Sequence, residues 1–96
     1  MPTYAQTASF RRDHAALSPE QKAAFRRAVD HFIEDMLAGA FRKGLRVKGV
    51  KGAKGIYEMT WAPNGRATFQ YGSPEVEGAV HVIWRRIGTH DILDSP

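Results

Sequence analysis

The segment LSPEQKAAFRRAVDHFIEDMLAG restricts the fold more than any other part of the sequence, because it marks both ends of a long helix. Ser18 is a preferred N-cap residue and Gln21 completes a capping box with it. Pro19 suits the first helical position, and Gly39 is a C-terminal stop signal. Between these ends, apolar residues recur every three or four positions: Phe25, Ala28, Val29, Phe32, Ile33, Met36 and Leu37. This stripe predicts a helix with one face on a core.

A β-hairpin is predicted from IYEMTW and RATFQY, which alternate between apolar and polar residues and are separated by APNG. We place Pro63, Asn64 and Gly65 in its loop. Alternation puts these side chains on an apolar face: Tyr57, Met59, Trp61, Ala67, Phe69 and Tyr71. These fall on a polar face: Glu58, Thr60, Arg66, Thr68 and Gln70.

Two further segments are candidate strands. In LRVK, Leu45 and Val47 would face the core and Lys48 the polar face. In HVIWRRI, Val82 and Trp84 would face the core, and the outward residues are His81, Ile83 and Arg85. Ile83 and Ile87 interrupt clean alternation and suggest a strand that is partly buried on both sides.

These elements predict an α+β fold, in which N-terminal helices pack on one face of a small antiparallel β-sheet. The 96 residues fit a single domain, with its helical part at about 10–39 and its sheet part at about 45–93. The largest residues between helix and sheet are expected to be Phe25, Phe32, Trp61, Phe69 and Trp84.

The composition excludes several classes of protein. There are no cysteines, so disulfides and thiolate metal sites are excluded, and a reducing cytoplasm is the expected compartment. No apolar run suggests a signal peptide or a membrane span, so we expect a soluble chain. The four histidines are dispersed without carboxylate support, which predicts no metal site. A net charge of +4 suits a polyanionic or acidic partner.

The basic segment LRVKGVKGAKG has two interpretations. Its glycines could allow the backbone to approach phosphate closely, or could simply form turns between strands, which we favour. The polar face also has two. It would gather Lys48, Glu58, Arg66, Thr68, Gln70 and Arg85, with Lys51 and Lys54 at its edge and His90 and Asp91 at its end. Such residues could hold a phosphodiester, or form an ordinary solvated sheet face.

The order and spacing of LRVKGVKGAKGIYEMTW, GRATFQYG and HVIWRRIGTHDIL resemble the RelE/ParE superfamily of type II toxins, above all the RelE-like and YafQ-like mRNA interferases. The resemblance covers roughly residues 10–93. GTHDIL is similar to the Gly-Ser-His ending of YafQ-type toxins. RelE and YoeB members place a tyrosine near the C-terminus, where this chain has Ile92 and Leu93, so the tyrosine's role does not transfer.

The resemblance implies a ribosome-dependent endoribonuclease that cleaves translated mRNA by attack of a 2′-hydroxyl on the adjacent phosphorus, without a metal or small-molecule cofactor. His90 would transfer the proton, with Glu58 as second partner and His81 in reserve. Arg66 would stabilise charge, and Asp91 would orient His90 or cap the chain end. The implied phosphate contacts are Lys48, Lys51, Lys54 and Arg85 or Arg86.

The implied partners are the ribosome, mRNA and a cognate antitoxin whose acidic, amphipathic segment covers the basic face. No membrane partner is expected. Two alternatives stay open: a ParE-like toxin that inhibits DNA gyrase by contact, and a catalytically inactive relative that binds a protein or RNA.

Overall fold

The computed structural model describes residues 2–96 as a layer of two helices on a five-stranded sheet. In chain order the elements are β1 (Thr3–Gln6), α1 (Ala8–Ala15), α2 (Pro19–Ala38), β2 (Lys48–Gly49), β3 (Tyr57–Ala62), β4 (Gly65–Gly72) and β5 (His81–Thr89). Short 3-10 helices follow α2 at Lys43–Leu45 and β5 at His90–Asp94. The strand order is β1-β5-β4-β3-β2.

Helix α2 begins and ends where its sequence signals predict. The Ser18 hydroxyl accepts a hydrogen bond from the Gln21 N–H at 3.2 Å, and Gln21 Oε1 accepts one from the Ser18 N–H at 2.8 Å. Gly39 ends the helix with φ of 91°. The predicted stripe is wrong at one position, because Leu37 is 64% exposed. At 100° per residue, Leu37 lies about 140° around the helix from Phe32, outside the buried sector.

The N-terminal strand and helix were not predicted as separate elements. β1 pairs with β5 in parallel, with Thr3 opposite His81, so the sheet is mixed rather than wholly antiparallel. Thr7 then caps α1, accepting from the Phe10 N–H at 3.1 Å. The Thr7 hydroxyl also donates to the Arg85 carbonyl, and the Thr7 N–H donates to the Trp84 carbonyl. These two bonds give the carbonyls on this edge of β5 hydrogen-bond donors beyond the end of β1.

The core lies between the helices and one face of the sheet, as the sequence predicts. Phe25, Phe32, Phe69 and Trp84 are buried there, whereas Trp61 is only partly buried. The core also contains residues that the prediction left out, including the completely buried Phe10 of α1. The aromatic rings meet at angles typical of favourable ring pairs, for example 81° between Phe25 and Trp84.

The segment LRVK does not form a full strand. Arg46 takes a left-handed conformation with φ of 50°, and only Lys48 and Gly49 pair with β3. Leu45 and Val47 nevertheless pack on the core side, as predicted. The glycines that follow form turns, and Gly52 adopts a positive φ of 81° that favours glycine.

Two β-bulges shift the predicted alternation. Between β3 and β4 the pairing passes from Thr60 to Ala62, so Trp61 is an extra residue in its strand. Between β4 and β5, Thr68 lies opposite Arg86 and Phe69 opposite Trp84, so Arg85 is extra. The second bulge returns Ile87 to the core, where it is 2% exposed. Burial on two faces is therefore not the reason for the interrupted pattern at Ile87.

Candidate active site

A row of charged and hydroxyl side chains crosses four strands on the face of the sheet that points away from the helices, called the polar face here. Lys48 of β2 lies opposite Glu58 of β3, which lies opposite Thr68 of β4. Thr68 in turn lies opposite Arg86 of β5. Side chains directly opposite each other have Cβ atoms about 5 Å apart. The sheet register therefore places a carboxylate between a lysine and a hydroxyl.

Glu58 is more enclosed than a residue on a solvated sheet face. Its exposed fraction is 6%, and that of Thr68 is 0%. The prediction of an open face is therefore wrong in the middle of the sheet, because the C-terminal residues cross it: the Thr68 hydroxyl donates to the Pro96 main-chain oxygen at 3.1 Å. Within residues 2–96, the Glu58 carboxylate forms no ion pair.

Arg66 lies diagonally across from Glu58, two residues before Thr68 and nearer to the hairpin turn. Its Nη1 donates to the carbonyls of Gly65 and Pro63 at 3.0 and 3.3 Å, so the guanidinium curls over the hairpin turn. No carboxylate lies within ion-pair distance of Arg66 in the part of the chain that the structure describes. This half-buried cation is consequently not neutralised by a neighbouring acid.

The turn that holds Arg66 depends on close packing of Gly65 against Trp61. A Cβ at Gly65 would lie 2.6 Å from Cε2 of the Trp61 indole, well inside van der Waals contact. The bulge at Trp61 turns this ring over the glycine. Gly65 is therefore required by the close approach of the ring, since its φ is not positive.

His90 lies at the same end of the sheet as Arg66. Gly65, which precedes Arg66, is the register partner of Thr89, and His90 follows Thr89 directly. His90 and Asp91 are exposed in the first turn of the C-terminal 3-10 helix. Within residues 2–96 no hydrogen bond joins these two side chains, and the Asp91 N–H donates to the Thr89 hydroxyl at 3.4 Å.

His81 lies at the opposite end of β5. It is nine positions before His90 in the sequence, which corresponds to about 25 to 30 Å along an extended strand. The ring is 5% exposed, with Nδ1 2.7 Å from the Thr3 hydroxyl and Nε2 3.6 Å from a Glu75 carboxylate oxygen. The outward position predicted for His81 is therefore covered by neighbouring residues, and His81 is not brought together with Arg66 and His90.

The two adjacent arginines of β5 have different surroundings. Arg86 donates through Nε to Asp13 Oδ2 at 2.6 Å and through Nη2 to Asp13 Oδ1 at 3.3 Å. These hydrogen bonds raise the pKa of Arg86 and fix it to helix α1. Arg85 instead donates to Gln70 and to the Pro96 main-chain oxygen. Unlike Arg86, it has no Asp or Glu partner within residues 2–96.

The three predicted lysines lie near the β2 edge of the sheet. Lys48 is the strand residue opposite Glu58, whereas Lys51 and Lys54 occupy the turns before β3. All three side chains are exposed, and none forms an ion pair in the described part of the chain. Together they form a positively charged border beside the enclosed Glu58.

The sequence prediction lacked Asp13 and the crossing of the sheet by the C-terminal residues, and it gave Thr68 no contact. Asp13 binds Arg86 and also accepts a hydrogen bond from the Ile87 N–H at 3.2 Å. Thr68 was assigned to the polar face but not to a contact. The residues after Ile92 were not expected to cross the sheet. Asp13 and Arg86 are 73 positions apart in the sequence, so no local pattern could predict their pairing.

A separate apolar groove lies on the helix side of the sheet. Its volume is about 470 Å³, and its apolar wall includes Phe25, Val29, Ile33 and Trp84. Lys22, Arg26 and Asp30 from α2 also line it. None of the predicted catalytic residues lines this groove, so its shape and chemistry suit a binding partner rather than the reaction.

The described residues also lack two other kinds of feature. Residues 2–96 contain no group of three or more His, Cys, Asp or Glu side chains placed to hold a metal ion. Neither helix in this range is long and apolar enough to cross a membrane.

Comparison with solved structures identifies the fold. The toxin–antitoxin complex RelB–RelE from Methanococcus jannaschii matches with a TM-score of 0.61 at 16% identity, over 94% of both chains. The YoeB/ParE toxin from Agrobacterium tumefaciens matches with a TM-score of 0.65 at 12% identity, over 92% of this chain and 98% of the toxin. The chain has the RelE/ParE toxin fold. YafQ from E. coli shares it, with a TM-score of 0.58 at 12% identity over 97% and 98% of the two chains.

The likeness to RelE/ParE toxins is one of fold. No protein-family model matches the sequence, and no curated protein does so. The matches nevertheless cover 92 to 97% of this chain, so the fold they share takes in both the helical layer and the sheet that carries the polar face.

Proposed function

We propose that the protein is the toxin of a type II toxin–antitoxin pair and acts as a ribosome-dependent endoribonuclease in the cytoplasm. The observation that carries this proposal is Arg66, which has no acidic partner within residues 2–96, on a face that also holds Arg85 and the enclosed Glu58. A phosphodiester supplies the missing charge.

The proposed reaction is attack of the 2′-hydroxyl on the adjacent phosphorus, which yields a 2′,3′-cyclic phosphate and a 5′-hydroxyl. One group must remove the 2′-hydroxyl proton and another must protonate the leaving oxygen. Glu58 and His90 are the proposed pair, because a carboxylate and an imidazole are both able to exchange protons. Arg66 lies between their positions in the register and stabilises the extra negative charge on phosphorus.

The remaining cations bind the RNA backbone. Lys48, Lys51 and Lys54 line the β2 edge and would track phosphates on one side of Glu58. Arg85 would serve on the other side. Arg86 is held against α1 by its fork with Asp13. Thr89 caps the C-terminal 3-10 helix by accepting from the Asp91 N–H, and Asp91 has no assigned role in the reaction. His81 takes no part in this proposal.

The proposed protein partner is a cognate antitoxin with an acidic, amphipathic segment. The RelE structure from M. jannaschii is of a complex with the antitoxin RelB. In this chain the apolar groove beside Ile33 could bury the apolar side of such a segment. Lys22 and Arg26 would meet its acidic side, which speeds association at low salt.

Inducing the protein in bacteria and mapping the 5′ ends of mRNA tests the activity. We expect new 5′ ends within translated codons. These ends should disappear when the initiation of translation is blocked. Arg66→Ala and His90→Ala should each abolish them. His31→Ala is the control, because His31 is exposed on α2 and distant from the polar face.

Two outcomes would contradict this proposal. Growth arrest with intact mRNA would favour the gyrase-inhibiting alternative. A loss of negative supercoiling in plasmid DNA would then support that alternative. Intact mRNA in growing cells would favour an inactive binding protein. Cleavage that persists in both Arg66→Ala and His90→Ala would leave the activity standing and overturn the site.

A further inference from the structure

The C-terminal segment Ile92–Pro96, called the tail here, lies across the polar face. The tail begins at the buried Ile92, which is 8% exposed. Its side chain packs closely on Gly88: a Cβ added to this glycine would lie 3.0 Å from Ile92 Cγ2. The later residues have different support. Asp94 and Ser95 are exposed, and hydrogen bonds rather than buried side chains hold this end to the sheet.

Three donors of the sheet converge on main-chain oxygens of the tail. The Thr68 hydroxyl and Arg85 Nε both donate to the Pro96 oxygen at 3.1 Å. Arg86 Nη1 donates to the Ser95 carbonyl at 3.2 Å. These donors come from β4 and β5: Thr68 and Arg86 are register partners, and the bulge adds Arg85 beside them.

The Ser95 and Pro96 oxygens accept hydrogen bonds that the oxygens of a phosphate group could accept in their place. A hydroxyl and two guanidinium groups that meet at neighbouring oxygens form an ordinary phosphate-binding set. Arg85 has no Asp or Glu partner within residues 2–96, and it donates to Gln70 and to the Pro96 oxygen, so a phosphate oxygen could take the place of the Pro96 oxygen.

We propose that Thr68, Arg85 and Arg86 form a phosphate-binding subsite, and that the tail fills it in the free protein and leaves it when RNA binds. The identity of the anion as an RNA phosphodiester rests on the proposed function. The geometry of the donors does not depend on it. Thr68 becomes a ligand-binding residue, and the tail is a competitor that lowers the apparent affinity for RNA.

Removal of residues 94–96 tests the competition directly. The variant keeps the buried Ile92 but lacks both oxygens that occupy the donors. The probe is a 2′-O-methyl RNA trinucleotide, which cannot be cleaved, and its binding is followed by NMR through the Arg85 Nε–Hε signal. Three hydrogen bonds, offset by the entropy of ordering the tail, predict affinity on the order of tenfold tighter in the shortened variant.

Further variants separate a specific subsite from general attraction to positive charge. Thr68→Val in the shortened chain keeps the shape of the side chain and should remove most of the gain. Arg85→Gln should do the same, followed in this variant through backbone amide signals. Arg12→Gln is the matched control, since it removes the same charge from α1, where the Arg12 side chain donates to the Ser9 hydroxyl and to no other group of residues 2–96.

In the complete chain, saturating trinucleotide should move the amide signals of Asp94 and Ser95 towards positions of unstructured residues. Unchanged affinity after shortening, or unchanged affinity after Thr68→Val, would overturn the proposal. So would a bound trinucleotide with the tail signals unmoved. Trinucleotide binding without mRNA cleavage on ribosomes would refute the proposed function and leave the subsite intact.

Discussion

Replacing Gly65 by alanine should destabilise the protein, against the usual effect of this substitution in a strand. The added Cβ would lie 2.6, 2.7 and 2.9 Å from three atoms of the Trp61 ring. Normal carbon contacts are about 3.5 to 4.0 Å, so the indole or the hairpin must move by about 1 Å. The ring is not free to do so without loss, because it packs edge-on against Phe25 at a centroid distance of 6.4 Å.

The expected magnitude follows from two opposing effects. Overpacking costs about 1 to 3 kcal/mol. Replacing glycine by alanine returns about 0.4 to 1 kcal/mol by restricting the unfolded chain. Taken at the middle of both ranges, the free energy of unfolding of Gly65→Ala should fall by about 1.3 kcal/mol, and by no more than about 2.6 kcal/mol.

Urea unfolding followed by far-ultraviolet circular dichroism measures this change without relying on Trp61 fluorescence. Gly49→Ala is the matched control: Gly49 is also a strand residue, its φ is not positive, and no atom lies within 4 Å of its added Cβ. Its stability should stay the same or rise slightly. Equal unfolding midpoints for the two variants would refute the packing argument, and with it the reason given for the shape of the turn at Arg66.

Three other predictions concern charge. Asp13→Ala should lower the free energy of unfolding by about 1 to 3 kcal/mol, because it removes the carboxylate that accepts hydrogen bonds from the Ile87 N–H and from Arg86. Asp30 is exposed, so Asp30→Ala is the control, and its free energy of unfolding in chemical denaturation should be unchanged. Arg42 hydrogen bonds lower the pKa of Asp35 from 3.8 to about 2. Because the pKa of Asp35 is lower in the folded protein than in the unfolded chain, the ionised carboxylate stabilises the fold at pH values above about 4. The stability advantage of the parent protein over Asp35→Asn should therefore disappear between about pH 4 and pH 2 in urea titrations. A stability difference that stays constant over this pH range would contradict the prediction. Antitoxin association should slow as salt rises in stopped-flow measurements, and a salt-independent rate would exclude electrostatic steering.

Local patterns predicted the elements whose signals lie close together in the chain. The capping residues Ser18 and Gly39 marked α2, and the alternation around APNG marked the hairpin. Both depend on interactions within a few residues. The short strand β1 escaped prediction, because its four residues gain stability by parallel pairing with β5, about 78 positions later in the chain.

The candidate site was predicted in composition and only partly in geometry. Glu58 and Arg66 fall on one face because alternation holds up to the first bulge. Arg85 and Arg86 have different hydrogen-bond partners, and no nearby residue in the sequence indicates this difference. Arg85 is the extra residue of a bulge, which changes the direction of its side chain, whereas Arg86 is hydrogen-bonded to Asp13 of α1. The enclosure of Glu58 likewise depends on tertiary packing, which periodicity does not specify.

Purified protein added to ribosomes stalled on mRNA with a vacant decoding site tests the central claim most directly. The account predicts a single cut in the exposed codon that leaves a 2′,3′-cyclic phosphate, no cut in the same mRNA without ribosomes, and no cut by Arg66→Ala. Intact mRNA on these ribosomes, with a folded protein confirmed by circular dichroism, would contradict the assignment of the polar face as a ribonuclease site.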